Sequence, residues 1–257
     1  MNEEKEVLAA RCKSLPAGDR LLLGTKGFSV ELLRHSGTDL DVANAARVSF
    51  DRSSASLSER DIGLINYLAK HKHWTPFGCT LLCYRITMPV YVARQLMRSN
   101  VGVVWNEVSR RYVDTPPSIH IPFYLRSRPP KSMKQGSSGE PVENSLIWAE
   151  AMAYNASSTL TLYDNLIAHG VAPEVARGVL PVSHFTSVMA TMNIATAARI
   201  IDLRADSHAQ MEIQHIAHLM MTNIPSTLQH SMMALFPSFE LSSEYQNWLS
   251  KESPIET

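Results

Sequence analysis

The stretch from Tyr91 to Asp114 concentrates the side chains best suited to binding an anion. It reads YVARQLMRSNVGVVWNEVSRRYVD and holds four arginines and one glutamate. A guanidinium group donates two parallel hydrogen bonds to the oxygens of a phosphate or a carboxylate. A solvated charged face is the alternative, but the apolar run Val101–Trp105 interrupts the charges, and such a face would not normally carry it. A ligand-binding loop is therefore the favoured interpretation.

The segment before this loop determines where the first arginines lie. From Thr80 to Met88 the two faces alternate, which predicts a strand buried mainly on one side. A proline ends that strand, and Val90–Met97 can form a helix that carries Arg94, Gln95 and Arg98. The two arginines are one helical turn apart, so they would reach the same place.

The other segments predict a helix-rich protein with a few short strands. Helices are expected at Thr38–Ala46, at 58–71, at Glu143–His169, after Pro173 and after Gln210, and strands at Phe28–Leu33 and Ile119–Leu125. Residues 184–194 allow both a strand and a helix. We expect one domain, 1–257, with a peripheral arm at 1–26, a mobile polar loop at 126–141 and a peripheral tail at 238–257.

Two helix starts are predicted from capping-box spacing. Ser58 with Asp61 would cap the first, and Ser207 with Gln210 would cap the second. In this interpretation Arg204 lies just before the N-terminus of the second helix, an end that favours anions.

Composition excludes several classes of protein. Lysine plus arginine equals aspartate plus glutamate at 24 each, so the chain has no positive excess for binding a nucleic acid. The three cysteines form no CxxC pair, which indicates a reducing, cytoplasmic setting. The first residues are acidic where a signal peptide is basic, and no apolar run approaches the length of a membrane span. We expect a soluble protein without a membrane partner.

The standard catalytic motifs are absent from the sequence. It contains no GxGxxG after a strand, no GxxxxGK[ST] and no HExxH. His208 with Glu212, and His215 with His218, share helical faces, but this spacing is common and no metal site is predicted. Ser109 has no histidine placed by the sequence to deprotonate it, so its hydroxyl is interpreted as a phosphate donor.

The charged stretch resembles the signature RHRxxSxNExSxR of the flavin-dependent thymidylate synthases (the ThyX family). The matching segment is Arg98–Arg111, RSNVGVVWNEVSRR, preceded by VARQ at 92–95. Further blocks match in family order: AARVSFD at 45–51, HxTPF at 73–77, PEVARxVLP at 173–181, Asn193, and LRADSHAQxEIQ at 203–214. The fold that this resemblance implies is a ThyX-like α/β (α+β) fold, helix-rich, with a central, mainly antiparallel sheet flanked by helices.

The activity implied by the resemblance is reductive methylation at C5 of a uridine monophosphate, dUMP to dTMP. Methylenetetrahydrofolate would give the carbon, and FAD, reduced by NADPH, would give the hydride. Such enzymes use no cysteine nucleophile, and none of the three cysteines lies in the charged stretch. The family forms homotetramers whose sites combine residues of several subunits.

The family's functional positions carry over residue by residue. The implied catalytic residues are Arg204, which would stabilise negative charge at the N3 and O2 edge of the pyrimidine, with Gln95 and His73. The implied nucleotide-binding residues are Gln95, Arg98, Glu107, Val108, Ser109, Arg110, Arg111, Arg177 and Arg204. The implied FAD-binding residues are Ser49, Thr75, Arg98, Ser99, Asn100, Glu107, Asn193, Arg199 and His208. No metal is implied.

The sequence departs from the family pattern at three places. Ser99-Asn100 replaces the His-Arg pair that follows Arg98 in the family, and one residue is inserted before Asn106. Ile194-Ala195 follows Asn193 where the family often has Ala-Arg, so another arginine is lost. In the same segment Arg199 stands where an asparagine is expected, and we hypothesise that it partly replaces the lost positive charge at the FAD phosphates. Arg110 stands where the family often has glycine.

Three functions remain open at this point. The first is a thymidylate synthase that uses dUMP, and the second is a UMP C5-methylase of a nucleoside-antibiotic pathway that accepts UMP as well as dUMP. The third is a flavin- or nucleotide-binding protein without catalysis. Gln95, Glu107, Arg177 and Arg204 argue against the third, because packing alone would not require them.

Overall fold

A four-stranded antiparallel sheet forms the centre of the protein. The structure, a computed structural model, describes residues 2–129, 131, 136–237 and 239–254. The strands are β1 (Leu21–Leu23), β2 (Ser29–Ser36), β3 (Leu81–Pro89), β4 (Val103–Glu107), β5 (Ile119–Ile121) and β6 (Phe185–Met192). The sheet has the order β2-β3-β6-β4, and β1 and β5 form a separate parallel pair. This mixed architecture with a central antiparallel sheet confirms the predicted fold class.

Helices surround the sheet. They are α1 (Asn2–Lys13), α2 (Asp39–Arg47), α3 (Glu59–Lys70), α4 (Val90–Leu96), α5 (Ser145–Ala168), α6 (Pro173–Ala176), α7 (Ile194–Ala205), α8 (Met211–Thr222), α9 (Gln229–Leu235) and α10 (Ser243–Glu252). The cap of α3 is confirmed, because the Asp61 carboxylate accepts hydrogen bonds from the backbone N–H and the hydroxyl of Ser58.

The two alternating faces predicted for β3 match the burial of its side chains. Leu82, Tyr84, Ile86 and Met88 are buried in the main core, whereas Arg85 is exposed. The segment left open between strand and helix is strand β6, which pairs with β3 on one side and with β4 on the other. Pairing with β3 and β4 therefore makes this segment a strand, a choice that the local sequence pattern could not determine.

The prediction of a loop across the apolar run was wrong for its second half. Val103–Glu107 is an edge strand, in which Val103 and Trp105 pack against the main core whereas Val104 is exposed. Gly102 leads into it with φ +77°, and a Cβ there would lie 2.5 Å from the Thr196 hydroxyl oxygen. Only glycine fits this turn without strain.

The predicted start of the helix after Arg204 was also wrong. Arg204 lies in the last turn of α7, and α8 begins only at Met211. Gln210 is the N-cap residue of α8 and makes no side-chain cap hydrogen bond there, so Ser207 and Gln210 form no capping box. The Arg204 guanidinium thus lies at the C-terminus of α7, where the helix dipole favours positive charge.

Two large hydrophobic clusters organise the interior of the described chain, and a small third one, of Met211, Tyr245 and Trp248, joins α8 to α10. The largest one lies between the sheet and the helices α2, α3, α4, α7, α8 and α9. The second joins α1, the β1–β5 pair and α5. The segments predicted to be peripheral contribute buried side chains, Leu8 and Cys12 from 1–26 and Tyr245 and Trp248 from the described part of 238–257.

Three further features bear on the predictions. In the loop 126–141, Arg126 and Pro141 form an isolated β-bridge, and residues 130 and 132–135 lie outside the described part of the chain. Within the described ranges, no helix is long and apolar enough to cross a membrane, and no group of three or more His, Cys, Asp or Glu could hold a metal ion. Cys12 and Cys83 are buried, whereas Cys79 is exposed.

Candidate active site

A cleft of about 380 Å³ brings together six of the predicted nucleotide-binding residues. These are Glu107, Val108, Ser109, Arg110, Arg111 and Arg177. The first five follow one another where β4 ends and the chain leaves the sheet. Arg177 comes from the turn that follows α6, which Pro173 opens at its first position. The sheet edge and a proline-started turn therefore position one cluster of guanidinium groups.

The cleft is cationic. Within the described ranges, Arg110, Arg111 and Arg177 bond with hydroxyl or carbonyl oxygens rather than with carboxylates. The Glu107 carboxylate accepts a hydrogen bond of 2.8 Å from the Thr186 hydroxyl. Three guanidiniums against one carboxylate favour an anionic ligand such as a phosphate.

His184 also lines this cleft, and the sequence reasoning missed it. Its Nδ1 lies 2.7 Å from the carbonyl oxygen of Pro181. Burial lowers the pKa of the ring, and the nearby Arg110 and Arg94 lower it further. The only signal in the sequence was its position between the PEVARxVLP block and the next buried segment.

A second group of predicted residues surrounds Arg204. Nη2 of Arg204 donates to the backbone carbonyl of Gln95 at 2.7 Å and to the hydroxyl of Ser99 at 3.2 Å. Nε of Arg204 is buried and has no hydrogen-bond partner among the described residues. Burial lowers the pKa of this guanidinium, yet an arginine stays charged at neutral pH. Two hydrogen bonds from Nη2 thus hold Arg204 in place.

The amide of Gln95 belongs to the same group. Its Nε2 donates to the side-chain oxygen of Gln210 at 2.6 Å, so α4 is linked to the start of α8. Ser99 is buried at 5% exposure, and in this structure its hydroxyl contacts Arg204.

Five predicted FAD-binding or catalytic residues line two other clefts that share Trp74. A cleft of about 440 Å³ contains Asn193 and Arg199, and one of about 560 Å³ contains Ser49, His73 and Thr75. Asn193 accepts a hydrogen bond from the backbone N–H of Thr196 and caps α7, while Arg199 donates to the carbonyl of Val101 at 2.6 Å.

The donor set in these two clefts fits a dinucleotide. An exposed guanidinium suits a phosphate, the hydroxyls and amide suit sugar and ring heteroatoms, and the Trp74 indole is half exposed where a planar ring could stack. The sequence reasoning missed Trp74, although it lies inside the HxTPF block.

Three further predicted residues lie outside both the clefts and the Arg204 group. His208 is exposed at 71% and bonds to the Asp206 carboxylate at 3.0 Å, while Arg98 and Asn100 are exposed beside α4. Across the described part of one chain, the candidate nucleotide cleft that contains Glu107 and Arg177, the Arg204 group and the two Trp74 clefts do not merge into one cavity.

Comparison with known proteins identifies the class to which this fold and site belong. The family model described as thymidylate synthase complementing protein matches residues 31–227. The chain belongs to this family. It is an enzyme, a methyltransferase of the flavin-dependent thymidylate synthase type, and the type implies a flavin cofactor.

Individual relatives support this assignment. The flavin-dependent thymidylate synthase of Thermosipho melanesiensis is 34% identical over 192 residues, which cover 75% of this chain and 82% of the relative. That of Streptomyces avermitilis is 35% identical over 223 residues, covering 80% and 89%. The UMP/dUMP methylase PolB of Streptomyces cacaoi, bound with 5-Br dUMP, superposes with a TM-score of 0.74 at 27% identity, covering 85% of this chain and 97% of PolB.

Proposed function

We propose that this enzyme methylates C5 of a uridine 5′-monophosphate reductively, converting dUMP to dTMP. Methylenetetrahydrofolate is the carbon donor, NADPH is the reductant and FAD is the cofactor. The observation that carries the proposal is the cationic cleft, in which Glu107, Ser109, Arg111 and Arg177 meet. These residues stand at the positions that the family resemblance assigns to the nucleotide.

The cleft holds the phosphate end of the substrate. Arg111 and Arg177 supply charge-assisted donors, and the Ser109 hydroxyl, now accepting from Arg111 at 3.3 Å, can turn its proton toward a phosphate oxygen. Glu107 stays oriented by Thr186 and is the acceptor in this cleft for a hydroxyl or an N–H group of the nucleoside.

Arg204 acts on the base. Its side chain is only partly buried, so the guanidinium can still offer an N–H group other than Nε–H to a ligand oxygen. As C5 and C6 react, negative charge grows on the N3 and O2 edge of the pyrimidine, and a fixed guanidinium stabilises it without reorganising. The Gln95 carbonyl and the Ser99 hydroxyl hold that guanidinium in one orientation.

The flavin cofactor supplies hydride transfer when bound. Arg199 and Asn193 on one side of Trp74, and Ser49, His73 and Thr75 on the other, are the groups that would hold it. His208, Arg98 and Asn100 lie outside these clefts and would reach the cofactor from a neighbouring subunit.

A homotetramer with shared sites is part of the proposal. Apolar side chains beside the clefts are widely exposed in the single chain, among them Phe50 at 76%, Val101 at 78% and Tyr112 at 75%. Such exposure is typical of surfaces that other subunits cover.

The second candidate function is a methylase that accepts UMP as well as dUMP, as in nucleoside-antibiotic pathways. It is favoured by the similarity to PolB, which is described as a UMP/dUMP methylase and is known with 5-Br dUMP and with 5-Br UMP. The two functions share every residue discussed above and differ in how the 2′-hydroxyl is tolerated.

One experiment tests both candidates. The purified, FAD-loaded protein is incubated with dUMP or UMP, methylenetetrahydrofolate and NADPH, and the nucleotide product is identified by mass. Formation of dTMP at the higher kcat/KM supports the first function, and comparable or faster methylation of UMP supports the second. Binding of flavin and nucleotide without any methylated product would overturn both and leave the non-catalytic alternative.

A further inference from the structure

Three hydrogen bonds hold His184 where it lines the proposed nucleotide cleft. Its backbone N–H donates to the Pro181 carbonyl and its own carbonyl accepts from Val90, each at 3.0 Å. The ring contacts the same Pro181 carbonyl through Nδ1 at 2.7 Å. A carbonyl oxygen only accepts hydrogen bonds, so Nδ1 carries the proton. The ring orientation and its tautomer are therefore both determined by one short turn.

The other ring nitrogen, Nε2, is left for a ligand. Among the described residues it has no hydrogen-bond partner, although the ring lines the cleft that contains Arg110, Arg111 and Arg177. In the neutral ring with Nδ1 protonated, Nε2 is an acceptor with a lone pair.

The surrounding groups keep the ring neutral before a ligand arrives. Burial lowers the pKa of His184 most, and Arg110 and Arg94 lower it further, while the Pro181 carbonyl and Glu107 raise it. His120, whose backbone N–H bonds to the Ser183 carbonyl, faces this turn from β5 and is itself neutral, because burial lowers its pKa to about 4. A cationic cleft thus surrounds one uncharged histidine.

We propose that His184 is a phosphate ligand that takes a proton from solvent onto Nε2 when the nucleotide binds, so that Nε2–H donates to a phosphate oxygen. The proposal rests on the proposed function, since it makes the nucleotide phosphate the occupant of this cleft. A lone pair on Nε2 would repel the oxygens of a phosphate dianion, whereas a protonated Nε2 forms a charge-assisted hydrogen bond. One proton is taken up for each nucleotide bound.

The direction of the pH dependence follows from this exchange. The dianion raises the pKa of His184 in the complex above its lowered value in the free protein, so binding is strengthened at low pH and weakens as pH rises through the pKa of the complex. The second ionisation of the phosphate, with a pKa of about 6, acts in the opposite direction. The histidine contribution is therefore the difference between the wild type and a variant that does not titrate.

Two variants separate the hydrogen bond at the position of Nε2 from the protonation of the His184 ring. His184→Asn keeps an amide N–H near the position of Nδ1 for the Pro181 carbonyl but loses the group at Nε2. His184→Gln places a neutral N–H donor near the position of Nε2. Titration calorimetry with the FAD-loaded protein, in buffers of different ionisation enthalpy at pH 7.5, counts the protons taken up on binding dUMP, UMP, deoxyuridine or inorganic phosphate.

The expected result is uptake approaching one proton by the wild type with dUMP, none with phosphate-free deoxyuridine, and none attributable to the histidine in either variant. Above the pKa of the complex, wild-type affinity for dUMP falls by up to about tenfold per pH unit relative to His184→Gln. His184→Asn binds dUMP more weakly than His184→Gln at every pH.

Other results overturn one claim or both. If dUMP binds to the wild type with no more proton uptake than deoxyuridine, His184 is not a titrating phosphate ligand, although the proposed function stands, and this result needs no variant to fold. If inorganic phosphate binds with His184-dependent proton uptake but neither nucleotide binds, the histidine proposal stands and the proposed function falls. If none of these probes binds, both fall.

Discussion

At the scale of single residues, the altered part of the family signature acquires a different role from the one expected. The resemblance places Ser99 where a flavin-facing histidine stands, which predicts a lost cation. In the structure Ser99 is buried, and its hydroxyl accepts a hydrogen bond from Arg204. The substitution therefore affects how Arg204, the arginine proposed to face the pyrimidine, is held.

Replacing Arg204 tests its role directly. Arg204→Lys keeps a positive charge but loses the planar fork, so we expect the rate of methylated product formation to fall by about 100-fold or more. Ser99→Ala removes one supporting hydrogen bond and is expected to reduce the rate by up to about tenfold. Single-turnover rates of both variants, with thermal midpoints as the control for folding, measure this. Equal rates for Arg204→Lys and the wild type would contradict the assignment.

Arg199 provides a second test at this scale. If Arg199 replaces the positive charge that other family members place at the FAD phosphates, Arg199→Ala loses a charge-assisted contact and weakens FAD binding by about tenfold or more. Flavin fluorescence titration gives the affinity. Arg34→Ala, which removes an exposed arginine of β2 outside the clefts, is the matched control and should bind FAD normally. Unchanged affinity in Arg199→Ala would show that the hypothesis is wrong.

At the scale of elements, the local sequence pattern predicts the helices and strands in which buried side chains recur at regular spacing within one segment. The alternation of β3 and the capped helix α3 are of this kind. Strand β4 is different, because its five residues become a strand only by pairing with β6, more than 80 positions later in the chain. Helix α7 was missed because its start follows directly on a strand of ambiguous period, so Arg204 was placed before a helix instead of at the end of one.

The site shows the same division between local and distant information. The family motifs predicted six residues that line one cleft, the proposed nucleotide cleft, because those residues lie within short recognisable blocks. His184 and Trp74 were not predicted. Their exposure toward a cleft depends on a turn at Pro181 and on packing between distant segments, which no local spacing records.

The turn into β4 can be tested with a pair of glycine variants. Gly102→Ala forces a Cβ to 2.5 Å from the Thr196 hydroxyl at φ +77°, and we expect it to lower the free energy of unfolding by about 1–3 kcal/mol. Gly63→Ala, in α3 with nothing within 4 Å of the new Cβ, should raise it by about 0.5–1 kcal/mol. Urea unfolding measures both. A neutral Gly102→Ala would show that the turn is not constrained.

At the scale of the whole molecule, a buried polar network connects the two large hydrophobic clusters. Arg126 donates to Glu212 of α8 at 2.9 Å, and both side chains are mostly buried. The Glu252 carboxylate, at the end of α10, accepts from the backbone N–H groups of Phe123 and Tyr124 at 2.8 and 3.0 Å. The C-terminal helix is thereby fastened to the segment that follows β5.

The Arg126–Glu212 ion pair should be costly to break. Arg126→Met leaves the Glu212 carboxylate buried without its cation, so we expect a loss of about 3–5 kcal/mol in the free energy of unfolding. Arg85→Met breaks a pair with Glu31 in which both side chains are more than half exposed, and should cost less than about 1 kcal/mol. Denaturant titration of both variants compares them. Equal losses in the free energy of unfolding for the two variants would mean that burial of the ion pair does not determine the cost of breaking it.

Glu252 gives the molecule a pH dependence of its own. Burial raises its pKa to about 7, and the nearby Glu212 also raises it, whereas the two backbone N–H groups and Arg126 lower it. The folded state therefore binds a proton that the unfolded state releases near pH 4.5, and this contribution to stability is lost as pH rises toward 7. Glu252→Gln has no carboxyl group at this position, so its stability should not fall in this way as pH rises.

Thermal midpoints of wild type and Glu252→Gln from pH 5 to pH 8 provide the measurement. The wild type is expected to lose stability relative to the variant as pH rises across this range. Parallel curves would contradict the raised pKa, and the neutral buried histidines His120 and His215 affect both proteins equally.

The distribution of the three thiols makes the enzyme suitable for spectroscopy without mutagenesis. Cys79 is the exposed one, at the end of the 3₁₀ turn Thr75–Cys79 that follows Trp74. A maleimide dye would therefore attach at one defined position, a few residues from the proposed flavin clefts. Burial and Asp41 raise the pKa of this thiol, so labelling should be slow at neutral pH and faster in mildly alkaline buffer. Flavin binding would then be followed as a change in the emission of that dye.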